Sequence, residues 1–173
     1  MGGKDKESKR EGSPAENVGK WKKIRYTPSK EIVERWKREI GEEETDDWYL
    51  NEDKIIGIPK KLHTFRTFLF GEVRFKLLPP RGSPVRVTEE VSVNGSVLRK
   101  VLHFLRVRKR KVTLGITEKA GFSCLVASRK GEYVVMAPLL NPHSPIDLVE
   151  LLEEMPEPYA LLRLMEKLKG GER

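Results

Sequence analysis

The chain has 173 residues, 38% hydrophobic and 35% charged, with a formal net charge of +8. That length suits one domain with an appendage and is enough to bury a core without disulfides or metal. Cys124 is the only cysteine, which excludes an intramolecular disulfide and a cysteine-based zinc site. No apolar stretch approaches the ~18 residues of a membrane span. There is no signal-peptide core at the start, and Lys6 stands where myristoylation of Gly2 asks for Ser or Thr. The expectation is a soluble, non-secreted protein, cytoplasmic or peripheral to a membrane.

Residues 1–26 are polar and charged, interrupted by Gly12, Pro14 and Gly19. Such a stretch buries too little apolar surface to offset its ordering entropy, so it reads as a disordered basic arm, dispensable for folding. Within it Trp21 lies among Lys20, Lys22 and Lys23, placed to stack on a base, to sit at lipid headgroups, or to tuck back onto the domain. Thr27-Pro28 reads as an N-cap and first helical position. Ile32, Val33, Trp36 and Ile40 follow at helical spacing, with Gly41 as the stop. The acids Glu42, Glu43, Glu44, Asp46 and Asp47 then form a solvated linker, so 27–47 is helix plus linker and an α+β domain occupies 48–173.

Ile55, Ile56 and Ile58 suggest a short strand. In the next segment Phe65, Leu69, Val73, Phe75 and Leu77 alternate with Arg66, Glu72, Arg74 and Lys76, which predicts a half-buried strand with a basic outer face, bent at Gly71. After the loop Pro79–Pro84, the alternation of Val85, Val87, Val91 and Val93 predicts a second strand. At Asn94-Gly95 the period changes: Val97, Leu98, Val101, Leu102 and Leu105 fit a helix capped by Ser96. Three strands follow, over Val112–Ile116, Phe122–Ala127 and Tyr133–Ala137, as an antiparallel meander. Ser144 and Asp147 resemble a capping box opening a helix through Met155, and a last helix carries Tyr159, Leu162, Met165 and Leu168. The fold class expected is α+β: one compact domain with an open, mostly antiparallel sheet and helices packed on it.

Charge is unevenly spread. Residues 54–117 hold fifteen Lys or Arg against the three acids Glu72, Glu89 and Glu90, while residues 41–53 hold seven acids and no base. The run Arg106-Val107-Arg108-Lys109-Arg110-Lys111 concentrates the excess. A basic core points to a polyanionic partner, nucleic acid or an anionic membrane surface; the plainer reading is a solvated basic face. If the run is extended, Arg106, Arg108 and Arg110 share a face and follow phosphates, with the planar guanidinium binding them bidentately. The expected polyanion-binding set is Arg106, Arg108, Lys109, Arg110 and Lys111, with Lys20, Lys22 and Lys23 from the arm and Arg66, Arg74 and Lys76 from the strand. Phe65, Phe68 and Phe70 interleave with Arg66 as on base-stacking sheets, although the glycines of an RNA-recognition motif are missing.

Catalytic signatures are not found. There is no Walker loop, GxGxxG or GxSxG. His63, His103 and His143 match no metal-ligand spacing, and Cys124 falls in a strand expected to be buried. Alternation sends Glu89 and Glu90 to opposite strand faces. The expectation is therefore a non-enzymatic protein with no cofactor, no metal and no evident small-molecule substrate.

The layout resembles a rhabdovirus matrix protein of the shorter, plant-infecting type. The parts that match are the Lys-rich arm Met1–Tyr26, the strands Phe65–Leu78 and Val85–Val93, the helix Ser96–Leu105 and the later strands. The PPxY motif is missing, and Tyr159-Ala160-Leu161-Leu162 offers only a YxxL pattern. The resemblance implies assembly: arm and basic face holding ribonucleoprotein and anionic lipid, with self-association condensing a virion. Two alternatives stay open, a small DNA- or RNA-binding protein whose Lys/Glu-rich composition would suit a thermophile, and an enzyme using Cys124 or His103.

Overall fold

The computed structural model describes residues 21–41, 56–58, 63–119 and 121–171. In chain order these form β1 (Trp21–Tyr26), α1 (Lys30–Glu39), β2 (Ile56–Gly57), β3 (His63–Phe75), β4 (Pro84–Arg86), β5 (Ser92–Asn94) and α2 (Gly95–Phe104). Then come β6 (Lys111–Lys119), β7 (Phe122–Arg129), β8 (Glu132–Met136), β9 (Ile146–Asp147), a 3-10 turn (Leu148–Leu151), β10 (Leu152–Glu154) and α3 (Glu157–Gly171). The main sheet runs β1-β3-β6-β7-β8-β2, all antiparallel, with β10 on the end of β3; β5-β4-β9 make a second, smaller sheet in which β4 and β9 are parallel. The α+β class and the meander β6-β7-β8 are as the periodicity predicts.

β3 departs from simple alternation. Its register against β6 shifts between Leu69 and Gly71, so Phe70 is an extra residue and the faces exchange there. Before the bulge Phe68 enters the main core while Phe65 lies on the opposite face; beyond it Val73 and Phe75 enter the main core, and Leu77 ends exposed. Gly71 permits this with φ of +104°, and a Cβ there would lie 3.0 Å from Pro156.

Both sheet faces are buried. One carries the main core, covered by Ile32 and Trp36 of α1, Leu98, Val101 and Phe104 of α2, and Tyr159 of α3. Trp36 and Phe104 meet edge to face at 5.1 Å. The other face holds Tyr26, Phe65, Cys124, Val126 and Val135. The sheet coils around this smaller cluster until β1 reaches β8, with the rings of Tyr26 and Tyr133 5.0 Å apart and Tyr26 Oη donating to Glu132 Oε1 at 2.9 Å.

Residues 21–26 are therefore a strand of the domain and no part of a disordered arm, and the domain includes β1 and α1 rather than beginning at Trp48. Cross-strand pairing supplies what composition hid: Trp21 pairs with Phe68, their tilted rings 5.9 Å apart, while Arg66 lies 4.8 Å over the indole. Trp21 is thus committed to the fold. The acidic segment 42–47 and Lys20 lie outside the described residues. Ser29, not Thr27, caps α1, accepting from Ile32 N–H at 3.1 Å, and Asn94, not Ser96, caps α2. Val85–Val93 is not one strand but two short ones joined by a turn at Thr88, whose Oγ1 accepts from Val91 N–H. The helix expected after Ser144 is instead β9, a 3-10 turn capped by Asp147, and β10.

One polar network locks α3 to the small sheet. Arg163 grips Asp147 through two hydrogen bonds of 2.9 and 2.7 Å and also donates to Val87 O at 3.0 Å, the carbonyl that accepts from Tyr159 Oη at 2.7 Å. Burial alone would raise the Asp147 pKa; hydrogen bonds from Arg163 and Val149 N–H, with the charges of Arg163 and Arg86, outweigh it and hold the carboxyl below the usual range. Glu166 shifts the other way: its burial outweighs the hydrogen bond from Glu89 N–H and the charge of Arg163.

Two outcomes follow from this packing. A chain beginning at Thr27 forfeits Trp21 and Tyr26 as well as the β1 ladder, and its melting temperature should fall by about 10 °C or more, read by circular dichroism. For Asp147, a folded pKa below the unfolded one adds stability at neutral pH that is lost as pH falls through the folded value. Asp147→Asn should therefore be less stable than the parent in urea titrations at pH 7, with the gap closing once pH drops below the ordinary carboxylate value of 3.8.

Candidate functional site

The basic run begins where α2 stops. Leu105 closes the helix, Arg106 turns left-handed with φ of +55°, and Val107 N–H returns to Leu102 O at 3.2 Å while Arg106 N–H reaches His103 O at 3.0 Å. This is the Schellman arrangement, with arginine where glycine is usual. Next, Arg108 and Lys111 bridge across a tight turn, Lys111 N–H donating to Arg108 O at 3.1 Å. The central residues Lys109 and Arg110 have φ of +54° and +59°, the pairing of a type I′ turn, where Asn-Gly is preferred. The run is thus a helix exit and a turn. It is not an extended strand, and Arg106, Arg108 and Arg110 do not share a face.

The run divides two hollows. On one side a cleft of about 670 Å³ carries Arg81, Arg99, Lys100 and Arg110, with the His103 imidazole, and no carboxylate lines it among the described residues. Arg99 Nη1 donates to Pro79 O at 3.0 Å and Arg110 Nη1 to Lys76 O at 2.6 Å, so both guanidinium groups are held in place with most of their donors uncommitted. Arg99 and Arg110 also line an adjoining hollow of about 550 Å³ with Lys76 and Glu150, which extends the cleft. On the other side Arg108, Lys109, Lys111, Arg129 and Lys130 surround a hollow of about 290 Å³ in which Glu72 is the single acid among the described residues.

Three other expected site residues lie elsewhere and are paired. Arg106 meets Glu39 at 3.2 Å, Arg66 meets Glu118 at 3.6 Å and Arg74 meets Glu153 at 3.6 Å. These exposed pairs add little stability but cancel charge. Lys22 and Lys23 stand exposed on β1. Phe65, Phe68 and Phe70 are all buried and offer no stacking platform.

Arg81, Arg99, Lys100, Arg129 and Lys130 were missed by sequence reasoning. For Arg99 and Lys100 a signal existed, since they fall off the apolar stripe of Val97, Leu98, Val101 and Leu102. Arg129 and Lys130 reach the site only because β7 pairs with β6, setting Ser128 opposite Thr113. Loop Pro79–Pro84, which carries Arg81, is seated on α2: Gly95 N–H donates to Ser83 O at 2.8 Å, and a Cβ at Gly95 would collide with the carbonyls of Pro80 and Ser83.

Cys124 is fully buried, and burial pushes its thiol pKa up to about 12, which disfavours the nucleophilic thiolate. His103 and His143 are exposed and well separated in the chain, and the described residues contain no group of His, Cys, Asp and Glu able to hold a metal. No described helix is long and apolar enough to cross a membrane.

A cation at a left-handed position costs roughly 1–2 kcal/mol, which asparagine or glycine would reduce. Lys109→Asn should raise the melting temperature by about 2–4 °C while weakening polyanion binding at low salt, as read by thermal denaturation and a fluorescence anisotropy titration. A fall in stability would show that the lysine itself supports the turn.

Comparison with known proteins adds no relative: no family model, curated protein or solved structure matches this chain.

Proposed function

We propose that this chain is a non-enzymatic nucleic-acid-binding protein that seats a phosphate backbone across the turn Arg108–Lys111, between the α2 cleft and the β6–β7 hollow. The observation carrying this reading is that nine lysines and arginines, Arg81, Arg99, Lys100, Arg108, Lys109, Arg110, Lys111, Arg129 and Lys130, line two adjacent hollows in which Glu72 is the one carboxylate among the described residues, with Glu150 in the adjoining extension. Arg99, Lys111 and Arg129 are half-buried, and Arg99, Arg110 and Arg129 are each anchored on a backbone carbonyl. A chain of phosphates can enter such hollows, whereas a flat bilayer meets only their rims. Binding by many phosphate contacts is governed by counterion release and weakens steeply with salt.

A second reading, matrix-like assembly on anionic membrane and ribonucleoprotein with self-association, is favoured by Leu77 and Leu78, which stand 58% and 41% exposed beside the basic cleft. Paired leucines next to arginines suit an interfacial lipid contact.

Location of charge is testable apart from its amount. Arg108→Gln/Lys109→Gln/Arg110→Gln and Arg66→Gln/Arg74→Gln/Arg106→Gln remove equal formal charge. The first should weaken binding of a single-stranded RNA or DNA 20-mer by about 10²–10³-fold at low salt and flatten the salt slope by about one unit per lost contact. The second should cost about tenfold or less, since its arginines are already paired. Equal losses would mean that net charge alone drives binding and that the hollows are not a site. Flotation with phosphatidylserine vesicles, with and without Leu77→Ser/Leu78→Ser, tests the membrane reading.

A further inference from the structure

We infer that the cleft beside α2 is a pocket for one nucleotide unit, taking the base as well as its phosphate; this rests on the proposed nucleic-acid reading and deepens it. Phosphate recognition needs no apolar surface. Yet the cleft floor is formed by Phe75, Leu78, Leu102 and Val107, and the cations stand around them. Its volume of about 670 Å³ lies within the ~300–1,000 Å³ typical of small-ligand pockets. A flat heterocycle covers Leu78 and Val107, burying apolar area now facing water, while its phosphate meets the rim.

The rim is built for that division. Arg99 and Arg110 each spend one hydrogen bond on a backbone carbonyl, and those bonds aim the remaining guanidinium donors. Ser96 Oγ accepts from Gly82 N–H at 2.8 Å, which leaves its own hydrogen free to donate. Val107 reaches the floor because the left-handed Arg106 folds the chain back over Leu102. The helix exit and turn therefore act as the wall of the pocket.

The chemistry is shared by a nucleotide within a strand and a free mononucleotide, and the experiment separates them. Full-length protein is titrated calorimetrically with adenosine and uridine 5′-monophosphates, the matching nucleosides and inorganic phosphate. At least one monophosphate should bind about tenfold or more tighter than its nucleoside and than phosphate. Leu78→Ser, at an exposed floor position, should weaken the monophosphate about fivefold and leave phosphate unchanged; Arg81→Gln/Lys100→Gln should weaken both. Competition of the monophosphate against a labelled single-stranded octamer marks the strand as the natural source, and binding without competition marks the free nucleotide. Equal affinity for monophosphate and phosphate, or indifference to Leu78→Ser, overturns the pocket. That result would leave the charge-matched comparison on long strands to stand or fall separately.

Discussion

One extra residue in β3 sets the geometry on which the rest of this molecule depends. The bulge at Phe70, with the left-handed Gly71 after it, exchanges the faces of a strand thirteen residues long. Without it, Phe68 and Phe75 would lie on opposite faces, and one strand could not serve the main core along its whole length. With it, the first half of β3 also supplies Phe65 to the smaller cluster, and the second half ends with Phe75 beneath the basic cleft. Bulges sharpen local twist, and the coiling that results brings Tyr26 to Tyr133. A Cβ at position 71 would press on Pro156, just before α3, so the missing side chain lets the start of the last helix pack closely on β3.

Charge in the sequence and charge on the surface are different quantities here. Of the bases expected to bind polyanions, Arg66, Arg74 and Arg106 each find a carboxylate that the fold delivers from far along the chain. The bases around the turn Arg108–Lys111 face hollows in which, among the described residues, Glu72 and Glu150 are the acids. Where acids do enter the interior, at Asp147 and Glu166, they serve Arg163 and the docking of α3, a structural duty. The fold has thus sorted its ions, neutralising those that hold elements together and leaving the hollows beside the turn with more cations than acids.

Elements whose evidence is local were legible before the structure: the amphipathic stripes of α1 and α2, the meander β6-β7-β8, and the burial of Cys124. What failed was non-local. Nothing within Trp21–Tyr26 announces a strand, because lysines at Lys22 and Lys23 make it look unstructured; its partner is β3, reached only across an intervening helix. The segment after Ser144 has helical spacing, yet β9 pairs with β4 and β10 with β3, so backbone pairing overrode the pattern. The site was half legible for the same reason. The run from Arg106 to Lys111 is visible as composition, but its shape depends on left-handed residues that its composition disfavours, and three of its five cationic neighbours, Arg81, Arg129 and Lys130, arrive from another strand and from loops.

That mismatch is the strongest physical hint of function. Arg106, Lys109 and Arg110 all occupy the left-handed region, where glycine or asparagine is at home, within one short connection. A connection selected for stability alone would place Gly at the Schellman position and Asn-Gly in the turn. Cations there sacrifice stability, and the turn carrying Lys109 and Arg110 is held in place: it is pinned by the Arg108–Lys111 bridge, by Phe75 N–H donating to Arg110 O at 2.9 Å, and by the Arg110 side chain on Lys76 O. Rigid, strained presentation of charge suits a ligand with fixed phosphate spacing, for which pre-organised donors lose little entropy on binding. A merely solvating surface needs no such rigidity, since flexible lysines on unstrained loops keep a protein in solution equally well.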